Sequence, residues 1–255
     1  MNTVTTTHPL ATYLVRLADD NVVIGQRLGE YIASAPELEE DLAVANTGLD
    51  HIGMARHLYT YAGELEGDGR TEDDFAMLRP ERSFTNALLV EQPNTDFAYI
   101  TVRQFFFDAY QRELWSQLVA SEDDRLAGIA AKGLKEATYH LRRSSTWVVR
   151  LGDGTDESHD RTQAAIDGLW RFTAELFATD DLEARLSDEG LVPRSDGLRA
   201  AWDTTVDETF ESATVVRPDD DFQTSGGRQG MHTEHLGRML AEMQWMQRSY
   251  PGLTW

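Results

Sequence analysis

Residues 36–66 read PELEEDLAVANTGLDHIGMARHLYTYAGELE, and this stretch decides the fold class. Pro36 suits the first turn of a helix, and Glu37, Glu39, Glu40 and Asp41 fall where the helix dipole is positive. The next breaker is Gly67-Asp68-Gly69, so one helix is predicted to run from Pro36 to Glu66. Upstream, Leu10, Tyr13, Leu14, Leu17, Ile24 and Leu28 keep a three-or-four spacing from Pro9 to a stop near Ser34-Ala35-Pro36. Downstream, a loop with a short element over 68–93 closes at Gln92-Pro93-Asn94. A third long helix follows over 96–120, with Phe97, Ile100, Phe107, Trp115 and Leu118 among its apolar positions. Ser121 with Asp124 resembles a capping box for a fourth, over 123–151, which Gly152-Asp153-Gly154-Thr155 ends. Shorter helices are predicted over 158–178, 181–189 and 196–213, then a loop over 217–230 and a last helix from Met231 to Ser249. No strand-like alternation persists. The expectation is an all-α antiparallel four-helix bundle with extra peripheral helices, one domain over 1–255 with a flexible stretch at 1–7.

Composition narrows the function. The 255 residues contain no cysteine, which excludes a thiolate nucleophile, a disulfide framework and a cysteine-held metal or cluster. No run is long and apolar enough to span a membrane, and residues 1–7 do not resemble a signal peptide, so a cytoplasmic chain is expected. Forty-four acids against 23 bases give a formal charge of −21. Such a surface repels phosphate backbones and anionic lipid, so neither nucleic acid nor membrane is an expected partner. Only Lys132 and Lys135 are lysines, and acids cluster as at Asp219-Asp220-Asp221. The pattern reads either as a solvated acidic surface or as adaptation to high salt, the latter being our expectation.

Long helical bundles often hold a metal between helices, and the di-iron carboxylate version uses Glu-x-x-His to put two ligands on one inward face. No glutamate here has a histidine three residues later. What remains is fragmentary: Glu30 on the first helix, Asp50, His51 and Met54 on the second, Asp108 after Phe105-Phe106-Phe107 on the third, and Glu136 and His140 on the fourth. Near the carboxyl end, His232 and His235 flank Glu234 and follow a Gly-rich loop bearing Arg228. The two histidines suit either a zinc ion or, more simply, a polar network or partner contact, and Arg228 could approach an anionic ligand such as the phosphates of coenzyme A.

Seven segments together carry a family resemblance. Ala35-Pro36-Glu37-Leu38, Gly48-Leu49-Asp50, Ala55-Arg56, Leu88 to Asn94, Lys135 to Arg142, Leu169 to Phe177 and His232 to Leu236, in that order, resemble the C-subunit family of the phenylacetyl-CoA epoxidase system. The likeness runs from about Leu10 to Trp255 and implies a ferritin-like fold. It also implies a paralogous A subunit that houses a di-iron centre and binds phenylacetyl-CoA, with electrons from NADPH arriving through a flavin and iron–sulfur reductase. In that catalytic paralogue, a Glu and a His stand where this chain has His51 and Met54, and a second Glu stands where it has Ala137. A thioether and a methyl do not replace a carboxylate and an imidazole on iron. The resemblance therefore implies a structural subunit with no metal or cofactor of its own, partnered by the A subunit and other epoxidase subunits and self-associating when alone. Arg56, about one turn beyond Asp50, is expected either to fill the vacated volume and pair with Asp108 and Glu136 or to face outward or toward a partner chain. The rival expectation is a metalloenzyme using His51, Asp108, Glu136 and His140, or His232 and His235.

Overall fold

A computed structural model describes residues 6–253, and all regular structure among them is helical. The helices are α1 (Pro9–Glu30), α2 (Leu38–Glu66), α3 (Glu72–Ala76), α4 (Phe97–Leu118), α5 (Asp124–Gly152), α6 (Asp156–Trp170), α7 (Asp181–Asp188), α8 (Arg199–Ala213), α9 (Glu234–Met243) and α10 (Trp245–Ser249). The span read from sequence as one domain divides into two compact units, Met1–Pro93 with Gly226–Trp255, and Asn94–Ser225. Each is built on one pair of long helices joined by a short connection, α1 with α2 and α4 with α5. Two such pairs are the helical content of a ferritin-like bundle.

In the first unit, α1 and α2 approach closely because Gly25 and Gly48 face each other. A Cβ on Gly25 would lie 2.9 Å from Ile52 Cδ1 and 3.2 Å from the Gly48 carbonyl. The expected flexible stretch 1–7 lies largely outside the described residues. Of the rest, Thr7 is tied down, its amide and hydroxyl donating to the Glu66 carboxylate at 2.8 and 3.1 Å. In the second unit, Phe105, Phe106 and Phe107 are fully buried. Phe106 packs against Trp170, Trp202 and Phe210, and Trp202 Nε1 donates to its carbonyl at 3.0 Å.

Several boundaries differ from expectation for reasons of capping. Pro36 precedes α2, whose N-cap is Glu37. Ser121 makes no capping box; its hydroxyl donates to the Leu191 carbonyl, while Asp123 caps α5 by accepting from the Leu126 amide at 2.7 Å. The helix expected over 158–178 begins earlier, capped by Thr155, and gives way after Trp170 to a short 3-10 turn at Ala174–Phe177. Met231 lies outside the last helix, which Thr233 caps and which breaks at Gln244. Gln244 is buried there and donates to the carbonyls of Ala76 and Arg79 at 2.9 and 3.1 Å.

Candidate functional site

The two segments that the resemblance sets against Glu-x-x-His both face inward. On α2, His51 and Met54 stand three residues apart and both are buried; on α5, Ala137 and His140 do the same. Helical periodicity thus keeps the inward geometry of a ligand pair while the sequence supplies one imidazole with a thioether and one with a methyl.

Within the first unit, His51 Nδ1 lies 2.8 Å from Asn21 Oδ1. Asn21 Nδ2 donates to the Leu17 carbonyl, so its oxygen faces the ring and Nδ1 carries the proton. Asn21 is thus the α1 residue that reaches His51. Glu30, the α1 residue singled out from the sequence, ends α1, is exposed and pairs with Arg27 at 2.7 Å. Asp50 is half-buried. Arg56 does not fill a vacated interior volume: its side chain is 73% exposed and pairs with Glu72 at 2.9 Å.

Within the second unit, Asp108 is fully buried, accepting from Gln104 Nε2 at 2.6 Å and from the Ser144 hydroxyl at 2.8 Å. Burial raises its carboxyl to about 6, against the opposing pull of His140, the two hydrogen bonds and Arg143. Glu136 is outside this cluster, held by Lys132 at 2.5 Å near the surface. Because the folded pKa lies above the ordinary value, ionised Asp108 is a burden that is complete above about pH 6 and gone below the normal carboxylate range. Asp108→Asn keeps an acceptor for Gln104, and the Ser144 hydroxyl can turn to accept from the new amide. At about 1.4 kcal/mol per pH unit, the variant is expected to be more stable at pH 7.5 by on the order of 2 kcal/mol. Urea unfolding from pH 4 to 8 checks it: the advantage should shrink towards acid, and an equal or larger loss of stability at pH 7.5 overturns it.

The carboxyl-terminal candidates belong to a buried polar network in the first unit. Arg228 does not offer itself to a phosphate: it donates to both oxygens of buried Asp20 at 2.8 and 3.0 Å, and to the Thr85 carbonyl. His232 Nδ1 lies 2.8 Å from Glu91 Oε2 and Nε2 lies 2.9 Å from the Phe84 carbonyl. Both ring nitrogens face acceptors, so neither presents a lone pair to a metal, and the imidazole is cationic when it satisfies both. Burial opposes that charge, but the contacts with Glu91 and Phe84 outweigh it and raise the His232 pKa. Glu234 faces solvent and pairs with Arg238, while the His235 carbonyl accepts from Arg27 at 3.0 Å.

Sequence reasoning missed the acids at the centre of this network. Asp19, Asp20 and Glu91 are at most 1% exposed. Asp19 is held by Arg79, Tyr59 and Thr85; Glu91 accepts from Asn86, His232 and Thr233. The available signal was Asp19-Asp20-Asn21, three polar residues interrupting the apolar spacing between Leu17 and Val22.

Among the described residues, neither unit by itself gathers three histidine or carboxylate side chains placed to share one ion. Within each unit by itself, the donors do not make up the four-carboxylate, two-imidazole set of a di-iron centre. A family model described as "Phenylacetic acid catabolic protein" matches residues 1–255. The chain is also 51% identical over 246 residues to the C subunit of 1,2-phenylacetyl-CoA epoxidase from Escherichia coli (strain K12), covering 96% of this chain and 99% of that protein. With a match along its whole length, the chain belongs to the phenylacetic acid catabolic protein family.

Proposed function

We infer that this chain is a non-catalytic subunit of a phenylacetyl-CoA epoxidase, acting in aerobic phenylacetate breakdown. The reaction it serves places one oxygen atom of dioxygen into the aromatic ring as an epoxide. In this reading the paralogous A subunit carries the di-iron centre and binds the thioester, and a separate reductase brings electrons from NADPH through flavin and iron–sulfur groups. This chain contributes packing surface that holds the A subunit in its working shape. The observation that carries the reading is the pair of inward positions, His51 with Met54 and Ala137 with His140, where neither helix places a Glu three residues before a His. The near full-length identity to a protein named as the C subunit of such an epoxidase supports it. The test is anaerobic reconstitution of the purified chain with ferrous iron, followed by metal analysis, and co-expression with the A subunit. Iron well below one per chain, no turnover alone and co-elution with the A subunit are expected. Stoichiometric iron with a di-iron absorption band overturns the reading and favours the metalloenzyme rival.

The reading includes a cytoplasm of high salt. With −21 on the chain, carboxylate repulsion at 0.1 M salt acts over about 10 Å, and over about 3 Å at 1 M. The melting temperature is expected to climb as KCl rises into the molar range. Salting-out of apolar surface raises it too, so the control is a neutralised variant. Asp123 and Asp180 cap helices and Asp220 binds Trp170 Nε1 and Arg199, so these are unsuitable. Asp160→Asn, Glu211→Gln, Asp219→Asn and Asp221→Asn together touch exposed positions. The combined variant should melt higher than the parent at 0.1 M KCl and gain less from added salt; equal salt slopes refute the adaptation.

A further inference from the structure

One stripe of the surface runs against the charge of the chain. Over 125–152, α5 carries six of the 23 bases, both lysines among them, and a single acid, Glu136, which Lys132 already holds. From 137 to 152 there is no acid at all. Lys135, Tyr139, Arg142, Thr146 and Arg150 follow one another at steps of three or four and share one face of the helix. Lys135, Arg142 and Arg150 are exposed, and Tyr139 is 63% exposed. Exposed arginines elsewhere, such as Arg161, Arg185, Arg194 and Arg238, each hold a carboxylate at 3.1 Å or closer. Lys135, Arg142 and Arg150 pair with no carboxylate among the described residues. In a chain with 44 acids, three such cations on one face are an exception.

The stripe is shaped as well as charged. Tyr139, Arg142, Arg143, Thr146, Trp147 and Arg150 wall an open groove of about 310 Å³. The Arg150 guanidinium lies over the Trp147 ring, 5.4 Å from its centroid, and that ring is packed edge-on against Phe97 at 5.1 Å. Arg150 is thus held in place before a ligand arrives. Arg143 is half-buried and serves the interior, where its charge acts on Asp108. The acid nearest to the groove is Glu208 of α8, which shares a neighbouring hollow with Arg150 without pairing with it.

Length selects among anionic ligands. Arg142 and Arg150 stand about 12 Å apart along the helix axis, and Lys135 and Arg150 about 22 Å. A phosphate or diphosphate meets one of these cations at a time, whereas a row of carboxylates meets all three. Every wall of the groove comes from one helix, so nothing closes over a small molecule, while an extended segment needs only a track. We propose that this face of α5 is a docking track for an acidic segment of another protein chain, about seven extended residues long. Arg142 and Arg150 take its carboxylates by forked hydrogen bonds, Lys135 takes one as a point charge, and the Tyr139 hydroxyl donates between them. The track goes beyond the proposed epoxidase role and does not rest on it.

The probe is a fluorescein-labelled octaglutamate peptide, with octaglutamine as its control, read by anisotropy against the full-length chain in 0.1 M KCl. The chain as a whole repels a polyanion, so capture has to be local. Expected is saturable binding of octaglutamate at least tenfold tighter than that of octaglutamine, and a further loss of at least tenfold in R142E/R150E. R185E/R238E makes the same change of charge on exposed arginines elsewhere and should weaken binding less than threefold. If R142E/R150E loses helix content, R142Q/R150Q replaces it, with a loss of at least threefold expected. A measurement free of variants is labelling by octaglutamate activated as a succinimidyl ester: it should modify Lys135, and excess unreactive octaglutamate should prevent this. Equal binding of the two peptides, equal losses in the two charge-reversed variants, or labelling that the competitor does not prevent overturns the proposal. So does ADP displacing the probe at lower concentration than unlabelled octaglutamate, which would make the groove a small-anion site. An oligomer of the chain that R142E/R150E disperses in light scattering also overturns it, by giving the track to a second copy.

Discussion

Arg79→Met is expected to cost about 3–5 kcal/mol, the scale for removing one partner of a buried ion pair. Arg79 is 2% exposed, and its guanidinium is enclosed. Nε donates to the Phe75 carbonyl at 2.6 Å and Nη1 to the Ser83 carbonyl at 2.7 Å, while Nη2 meets Asp19 and the Tyr59 hydroxyl. The group also lies over the Phe84 ring, 4.3 Å from its centroid. Methionine fills much of the volume but leaves Asp19 buried with only Tyr59 and Thr85 as donors, and leaves two carbonyls unmatched. Net domain stability is about 5–15 kcal/mol, so the variant is expected to be marginal at 37 °C. Urea unfolding at pH 7 measures the loss. Adding Asp19→Asn should recover at least about 1 kcal/mol relative to the sum of the single effects, because the two residues share one network. A cost below 1 kcal/mol for Arg79→Met, or strict additivity, would show that the pair carries little of the stability.

The second large effect is at Glu91, whose two oxygens each take two hydrogen bonds. Oε1 accepts from the amide and hydroxyl of Thr233 at 2.6 and 2.7 Å; Oε2 accepts from Asn86 and His232 at 2.9 and 2.8 Å. Four donors saturate a carboxylate, and an amide cannot serve them, because its NH2 points hydrogens at two donors. Glu91→Gln is therefore expected to cost about 3–5 kcal/mol despite its near-identical shape. The same site makes stability depend on pH. His232 has a raised folded pKa, so its contribution is complete below the ordinary histidine range and is lost as pH rises through the raised value. Wild-type protein should lose stability on the alkaline side of pH 6.5, and His232→Gln should flatten that slope while lowering stability at pH 6. An unchanged slope in the variant would place the titration elsewhere.

Helix type and order were legible because they rest on local signals. The acids at the start of α2, the Gly67 stop in left-handed backbone and Asp96 as the cap of α4 all act within a turn of where they stand in the sequence. The inward face of α5 was legible for the same reason, since Ala137 and His140 are tied by helical spacing. The partners of Asp20 were not. Arg228 lies 208 positions away, and nothing in either segment specifies that the other neutralises it. Arg56 and Glu136 show a second kind of failure. An acid or arginine beside a core position can turn outward to a nearby opposite charge, here Glu72 and Lys132, and periodicity alone does not tell which way it turns.

The division of the first unit between the two ends of the chain also sets an order of events during synthesis. Asn94–Ser225 is continuous and holds its own aromatic core, so it can fold once it has left the ribosome. The α1–α2 hairpin emerges earlier yet cannot finish. Until Gly226–Trp255 is made, Asp20 lacks Arg228 and Glu91 lacks His232 and Thr233, and burying either acid unpaired is unfavourable. The oldest part of the nascent chain is thus the last to reach its native state, and a messenger truncated before codon 226 yields one foldable half and one half with no route to completion.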